Sequence, residues 1–138
     1  MVAKIESILK NKNLSVTDIR RQILLMLNRP NAAFSQKEIE EELEKEMDSV
    51  DRVTVYRNIK TLLENKIIHP IVVEPQQIKY KLIGESKSGE HPHFYCQKCE
   101  KVVCMPQYKF DKSQIPDGFQ IESSQITIEG LCAKCVNQ

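Results

Sequence analysis

The sequence predicts an α+β chain: an N-terminal winged helix-turn-helix, then a small α/β unit built mainly of strands. Three observations predict it. Apolar residues recur at helical spacing as far as about Asn65, and two β-rich runs then flank Glu74-Pro75-Gln76. All five cysteines lie beyond residue 95, four of them in two Cys-x-x-Cys pairs set among strand-like segments.

The first helix is expected from Val2 to Asn11, with Ile5, Ile8 and Leu9 on one side. Thr17 can cap a second helix, whose Ile19, Ile23, Met26 and Leu27 fall at helical spacing. It stops near Asn28-Arg29-Pro30, because proline restricts the residue before it and cannot continue the helix. Ser35-Gln36-Lys37-Glu38 has the form of a capping box and opens a third helix with Ile39, Leu43 and Met47 in a stripe. The acidic residues from Glu38 to Asp48 read as a solvated face whose sign opposes contact with DNA.

Asp51 can cap a fourth helix running to about Asn65. Val55, Ile59, Leu62 and Leu63 lie on one face of it, and Val53, Tyr56, Arg57 and Lys60 on the other. Ile67–Val73 and Gln77–Leu82 then read as the hairpin of the wing. Gly84–Glu90 is polar, has no large apolar residue and makes the natural hinge. The divisions are therefore 1–83 for the winged helix, 84–90 for the hinge and 91–138 for the β-rich unit. Strands are expected there at Phe94–Cys96, Lys101–Met105, Phe119–Ser123 and Gln125–Glu129. A unit this small usually needs a metal, a disulfide or a partner subunit.

Composition sets the outer limits. The chain has 138 residues, of which 41% are hydrophobic and 28% charged, as in ordinary globular proteins. With no Trp and only four Phe and four Tyr, its packing must be mostly aliphatic. A net charge of +1 decides nothing, since nucleic-acid binders can be basic on one face alone. The charged start Met1-Val2-Ala3-Lys4-Ile5-Glu6 is unlike a signal peptide, and no segment approaches the roughly 18 apolar residues of a membrane span. The expectation is a soluble, cytoplasmic protein without a membrane partner. In that reducing compartment, paired cysteines point to a metal more than to a disulfide.

Cys96-Gln97-Lys98-Cys99 and Cys132-Ala133-Lys134-Cys135 have the spacing that lets two thiolates of a tight turn reach one Zn²⁺ at about 2.3 Å. Two such knuckles complete a closed tetrahedral site, and Lys98, Lys101 and Lys134 can offset part of its negative charge. The competing reading is a redox dithiol, which expects one exposed pair in a βαβ setting. His91 and His93, at i and i+2 of an extended segment, face one side and can serve one ion, or they can be plain surface residues. By themselves, Cys104 reads as a small core residue and His69 as a surface or satisfied imidazole.

Taken in order, several segments resemble the ferric uptake regulator (Fur) family of bacterial metal-dependent repressors. They are Val16-Thr17-Asp18-Ile19-Arg20, Thr54-Val55-Tyr56-Arg57, the wing end Tyr80-Lys81-Leu82, His91-x-His93-Phe94-x-Cys96-x-x-Cys99 and Gly130-Leu131-Cys132-Ala133-Lys134-Cys135. The resemblance implies a winged helix joined by a hinge to a dimerising domain. It further implies that Tyr56 and Arg57, with Thr54 beside them, enter the major groove of operator DNA while Arg20 and Lys60 take phosphates.

The same resemblance implies a regulatory metal site between the two domains, and there this chain departs from the pattern. Ala33 stands for the usual histidine, Lys81 for the acidic ligand of the wing, Cys104 for a further acidic ligand, and Ser124 for a histidine of an accessory site. In the zinc-sensing branch a ligand at the start of the wing is usual, and His69 stands there. The implied second site is therefore His69, His91, His93 and Cys104, a donor set that favours zinc over iron or manganese on ligand softness.

The resulting expectation is a homodimeric, zinc-responsive repressor on a palindromic operator, with one structural and one regulatory metal. It has no small-molecule substrate and no catalysis, since paired catalytic carboxylates, a phosphate-binding glycine loop and a nucleophile elbow are all missing from the sequence. The alternatives are an iron, manganese or peroxide sensor of the same family, a zinc-ribbon module binding a protein, and a thiol oxidoreductase.

Overall fold

The computed structural model describes residues 2–73, 77–83, 92–105, 111–122, 124 and 126–137. Four helices lead: α1 (Val2–Asn11), α2 (Asp18–Leu27), α3 (Gln36–Glu46) and α4 (Arg52–Glu64). Strands β1 (Ile68–Val73) and β2 (Gln77–Leu82) form the wing. Strands β3 (His93–Cys96), β4 (Val102–Cys104) and β5 (Thr127–Gly130) form a second sheet, and short 3₁₀ turns lie at Lys112–Gln114 and Cys135–Asn137.

The helix starts are set by side chains that satisfy backbone N–H groups lacking helical partners. The Thr17 hydroxyl accepts from the Arg20 N–H, and an Asp51 carboxylate oxygen accepts from the Thr54 N–H at 2.7 Å. Ser35 and Glu38 form the reciprocal capping box. Helix α3 ends one residue short of the expected stripe. Met47 is its extended C-cap, although its N–H still reaches the Leu43 carbonyl and its side chain still packs on the core.

Apolar stripes from all four helices close one aliphatic core around Leu9, Leu24, Leu27, Leu43, Ile59 and Leu62, sealed by Ile68 and Leu82 of the wing. Each such side chain contributes about 1.5–3 kcal/mol on burial, which outweighs the weak intrinsic helix preference of these short segments. Among the described residues, Tyr95 is the one aromatic in the buried apolar set, as the composition requires.

A smaller cluster joins the two sheets. Ala33, Ile71 and Val73 from the first 83 residues pack with Tyr95 and Val102 of the second sheet. The Val102 N–H donates to the Asn31 carbonyl across this seam at 3.1 Å. The expected hinge, 84–90, lies outside the described residues.

In the second sheet β3 is central, antiparallel to β4 and parallel to β5. The strand expected at Phe119–Ser123 does not form: residues 119–122 are irregular, Phe119 is 72% exposed, and Ser123 lies outside the described residues. Alternation of Phe119 and Ile121 marks an amphipathic run, but a strand also needs a neighbour to take its backbone hydrogen bonds. The last strand is Thr127–Gly130 rather than Gln125–Glu129, because its register is dictated by β3.

Candidate metal centre

The parallel pairing of β3 and β5 brings the cysteines together. Both strands run the same way, so the turn after Cys96 and the turn after Gly130 emerge at one end of the sheet. The Gln97 N–H donates to the Gly130 carbonyl at 2.8 Å and ties the two turns. A Cβ at Gly130 would sit 3.3 Å from the Phe94 ring, so the close approach of the strands leaves little room for a side chain there.

The four sulfurs of Cys96, Cys99, Cys132 and Cys135 lie within 4.8 Å of one another, and Cys99 and Cys132 are 3.8 Å apart. Four thiolates at about 2.3 Å from one ion in a tetrahedron are separated by about 3.8 Å, so the cluster fits a structural metal site. No disulfide competes for these thiols. The Cys96 sulfur receives the backbone N–H of Cys99 at 3.5 Å and of Cys132 at 3.4 Å. Those donors, Cys99 first, hold the Cys96 thiol down at about 6 against the opposing effect of burial. The Cys135 N–H similarly lowers Cys132, whereas burial and then the neighbouring sulfurs push Cys135 up to about 12. The turns themselves thus shift two of the sulfurs towards the thiolate.

Among the described residues, this is the one group of three or more His, Cys, Asp or Glu ligand atoms that converges to such distances. Of the other expected ligands, His69 and His93 are buried with ring centroids 5.2 Å apart, and Cys104 stands opposite His93 in the β3–β4 register. His91 lies outside the described residues. Two of the departures from the family pattern, Ala33 and Lys81, also have clear positions. Ala33 is a packing residue of the seam, and the Lys81 ammonium donates to the Arg29 carbonyl at 3.1 Å and the Ala32 carbonyl at 2.9 Å. Burial lowers the Lys81 pKa, and the charge of Cys104 opposes that shift.

Helix α4 presents a second candidate surface. Its Val55, Ile59 and Leu62 are buried, while Val53, Tyr56, Arg57 and Lys60 point outward and Thr54 is half-buried. Arg20 is only partly available to a ligand. Its Nε donates to Asn58 Oδ1 at 2.9 Å and its Nη1 to the Ser15 carbonyl at 3.0 Å, which fastens α2 to α4. Three participants escaped sequence reasoning: Asn58, Lys79 and Glu100. Asn58 carried a signal, lying one helical turn after Thr54 and next to Arg57 on α4. Lys79 and Glu100 carried none, since a lysine in a wing and a glutamate after a knuckle both read as solvated.

Among the described residues, no helix is long and apolar enough to cross a membrane. Comparison with known proteins bears on the whole assembly. The sequence is 25% identical over 130 residues to a ferric uptake regulation protein of Staphylococcus epidermidis, covering 93% of this chain and 91% of that protein. A solved zinc uptake regulator complexed with zinc and DNA superposes with a TM-score of 0.75 at 23% identity, over 99% of this chain and 93% of that one. The Vibrio cholerae ferric uptake regulator gives 0.65 at 22% identity, over 91% and 98%. The sequence signature of the Ferric uptake regulator family matches residues 11–129. With that match spanning helices α2 to α4, the wing and most of the second sheet, the chain belongs to the ferric uptake regulator family of metal-responsive transcriptional regulators.

Proposed function

We propose that this chain is a homodimeric repressor that binds a palindromic double-stranded operator when a zinc-responsive site is filled. The observation that carries the reading is the outward face of α4, where Tyr56, Arg57 and Lys60 are exposed over a wholly aliphatic inner face. Arg57 suits a guanine edge, the Tyr56 ring suits a thymine methyl, and Thr54 is placed beside them. Lys60 and the free part of Arg20 supply phosphate contacts that set register. The zinc uptake regulator that resembles this fold was solved with zinc and DNA, which supports both partners.

Residues 1–83 serve as the DNA-binding unit, and 91–138 as the dimerising one. Support for the dimer comes from β5, an edge strand of the second sheet among the described residues with Ile128 exposed, and from Phe119, Ile121, Leu131 and Val136, which are exposed in the same part of the chain. Exposed apolar side chains gathered in one small unit favour cover by a partner. The Cys96, Cys99, Cys132 and Cys135 site holds structural Zn²⁺, and the reducing cytoplasm keeps its thiols available.

The regulatory ion is assigned to His69, His91, His93 and Cys104. Imidazoles and a thiolate favour zinc, whereas iron and manganese prefer oxygen donors. The ferric uptake regulation protein of Staphylococcus epidermidis favours iron as the second reading. Titration of an operator duplex against metal decides the assignment. Cys104→Ser and His69→Ala are expected to weaken metal-dependent binding at least about tenfold, the usual loss when one ligand or its support is removed, while the folded dimer persists. Unchanged metal dependence in either variant would remove that residue from the site.

A further inference from the structure

The hairpin of the wing faces an unusual way. Val72 and Ile78, directly paired across it, are 51% and 45% exposed, while Lys79 on the opposite face is 1% exposed, paired with Ile71. Burying an ammonium and exposing two branched aliphatics costs twice, and a buried ammonium requires carboxylates. Lys79 has two, and they come from different parts of the fold. Its Nζ donates to Glu38 Oε1 at 2.8 Å, in the first turn of α3, and lies 3.6 Å from Glu100 Oε1, immediately after the first cysteine turn.

Glu100 is unusual in its own right. It sits at φ 64, a left-handed conformation that a glutamate adopts at some cost. Strain of this kind persists when surrounding contacts over-determine it. Two such contacts are present: the Glu100 N–H donates to the Cys96 carbonyl at 2.9 Å, and the Tyr95 hydroxyl donates to Glu100 Oε1 at 3.3 Å. Glu38 is equally fixed by the Ser35 capping box and by Lys79, and its carboxyl is held below the usual range. A cleft of about 550 Å³ opens beside the cluster, lined by Asn31, Ala33, Glu38 and Lys79 from the first 83 residues and by Cys99 and Glu100 from the first cysteine turn.

We propose that Lys79, held between Glu38 and Glu100, is a positioning residue that ties the winged helix to the cysteine-bearing sheet and sets the angle at which α4 is presented. The tie needs no regulatory metal. It runs from helix α3 through the wing to the turn that supplies Cys96 and Cys99, so its two ends belong to the DNA-binding and metal-binding units. This role rests on the proposed DNA-binding reading of α4.

The Val102 N–H, bonded to the Asn31 carbonyl across the same seam, reports its opening. Amide hydrogen exchange is measured on the metal-loaded full-length protein, for wild type, Glu100→Gln, Lys79→Met and the double variant. Glu100→Gln is expected to speed Val102 exchange about fivefold, the scale of one partly exposed ion pair, with the Leu62 amide of α4 and the bound metal unchanged. In the Lys79→Met background the same substitution is expected to change little, since its partner is gone. No acceleration in Glu100→Gln, or equal acceleration in both backgrounds, overturns the tie. Should Lys79→Met fail to fold, Glu100→Gln alone still decides the first point. Operator titration separates the two levels of the argument. Wild type that binds no duplex DNA sinks the proposed function but leaves the exchange result standing. Faster exchange with unaltered operator affinity overturns the positioning role.

Discussion

Replacing Cys96 by serine is expected to release the bound metal and unfold the three-stranded sheet, leaving the four helices in place. Cys96 ends the central strand β3, is buried, and accepts N–H groups from both cysteine turns. Its loss removes one ligand of four and the sulfur that organises the other turn. Structural Zn²⁺ on thiolates binds with on the order of 10 kcal/mol near neutral pH, more than the net stability of a small strand-rich unit. The helical core depends on Leu24, Ile59 and Leu62, which are remote from this chemistry. Metal analysis should show the loss of about one ion per chain, and amide exchange should lose protection in β3 and β5 while α4 stays protected. A chelator should reproduce both changes. The sign of the pH dependence also follows. Burial keeps Cys135 protonated to about 12 in the metal-free protein, so binding must expel its proton and affinity rises with pH. A sheet that survives Cys96→Ser with full metal content would contradict the structural assignment, and reversible pairing of the thiols without loss of fold would favour the redox reading.

Arg57→Ala is expected to be the most damaging surface change for DNA. Arg57 is exposed on α4 and holds up no part of the core, so the melting transition should stay close to wild type. A bidentate arginine–guanine contact is worth about 1–3 kcal/mol, so operator affinity should fall by about tenfold to a hundredfold with relaxed specificity. Lys60→Ala provides the contrast. A phosphate contact carries no sequence information, so its loss should weaken all duplexes alike and reduce the salt slope by about one. Competition titrations at fixed salt against operator and random duplex distinguish the two. If Arg57→Ala binds both as wild type does, α4 is not the reading helix.

Residues that act through their immediate neighbours were legible in the sequence. Thr17, Ser35 and Asp51 cap the helices they were expected to cap, because a cap needs only a side-chain oxygen and a backbone N–H three residues on. The two faces of α4 follow from the 3.6-residue period, and the wing from two β-rich runs and a turn. The spacing within each cysteine pair likewise states that two thiolates can share an ion. Reading failed where a partner distant in the chain decides. Residues 119–122 have a strand-like pattern and, among the described residues, no strand paired with them. Ala33 is silent as a residue type and becomes meaningful as a packing position in the seam. Arg20 looked available for phosphate, yet part of its guanidinium holds Asn58.

The sequence by itself therefore determined the helices, the wing, the ligand chemistry and the outward face of α4, since all are written in short-range periodicities and caps. Only the tertiary structure decided that β5 runs parallel to β3, which carries the second cysteine turn to the first across residues 100–131. It alone placed Lys79 inside, between carboxylates of α3 and of the first cysteine turn. Strand partners and buried charge pairs are chosen by long-range burial and hydrogen-bond satisfaction, and no local pattern records which distant group will be there to receive them.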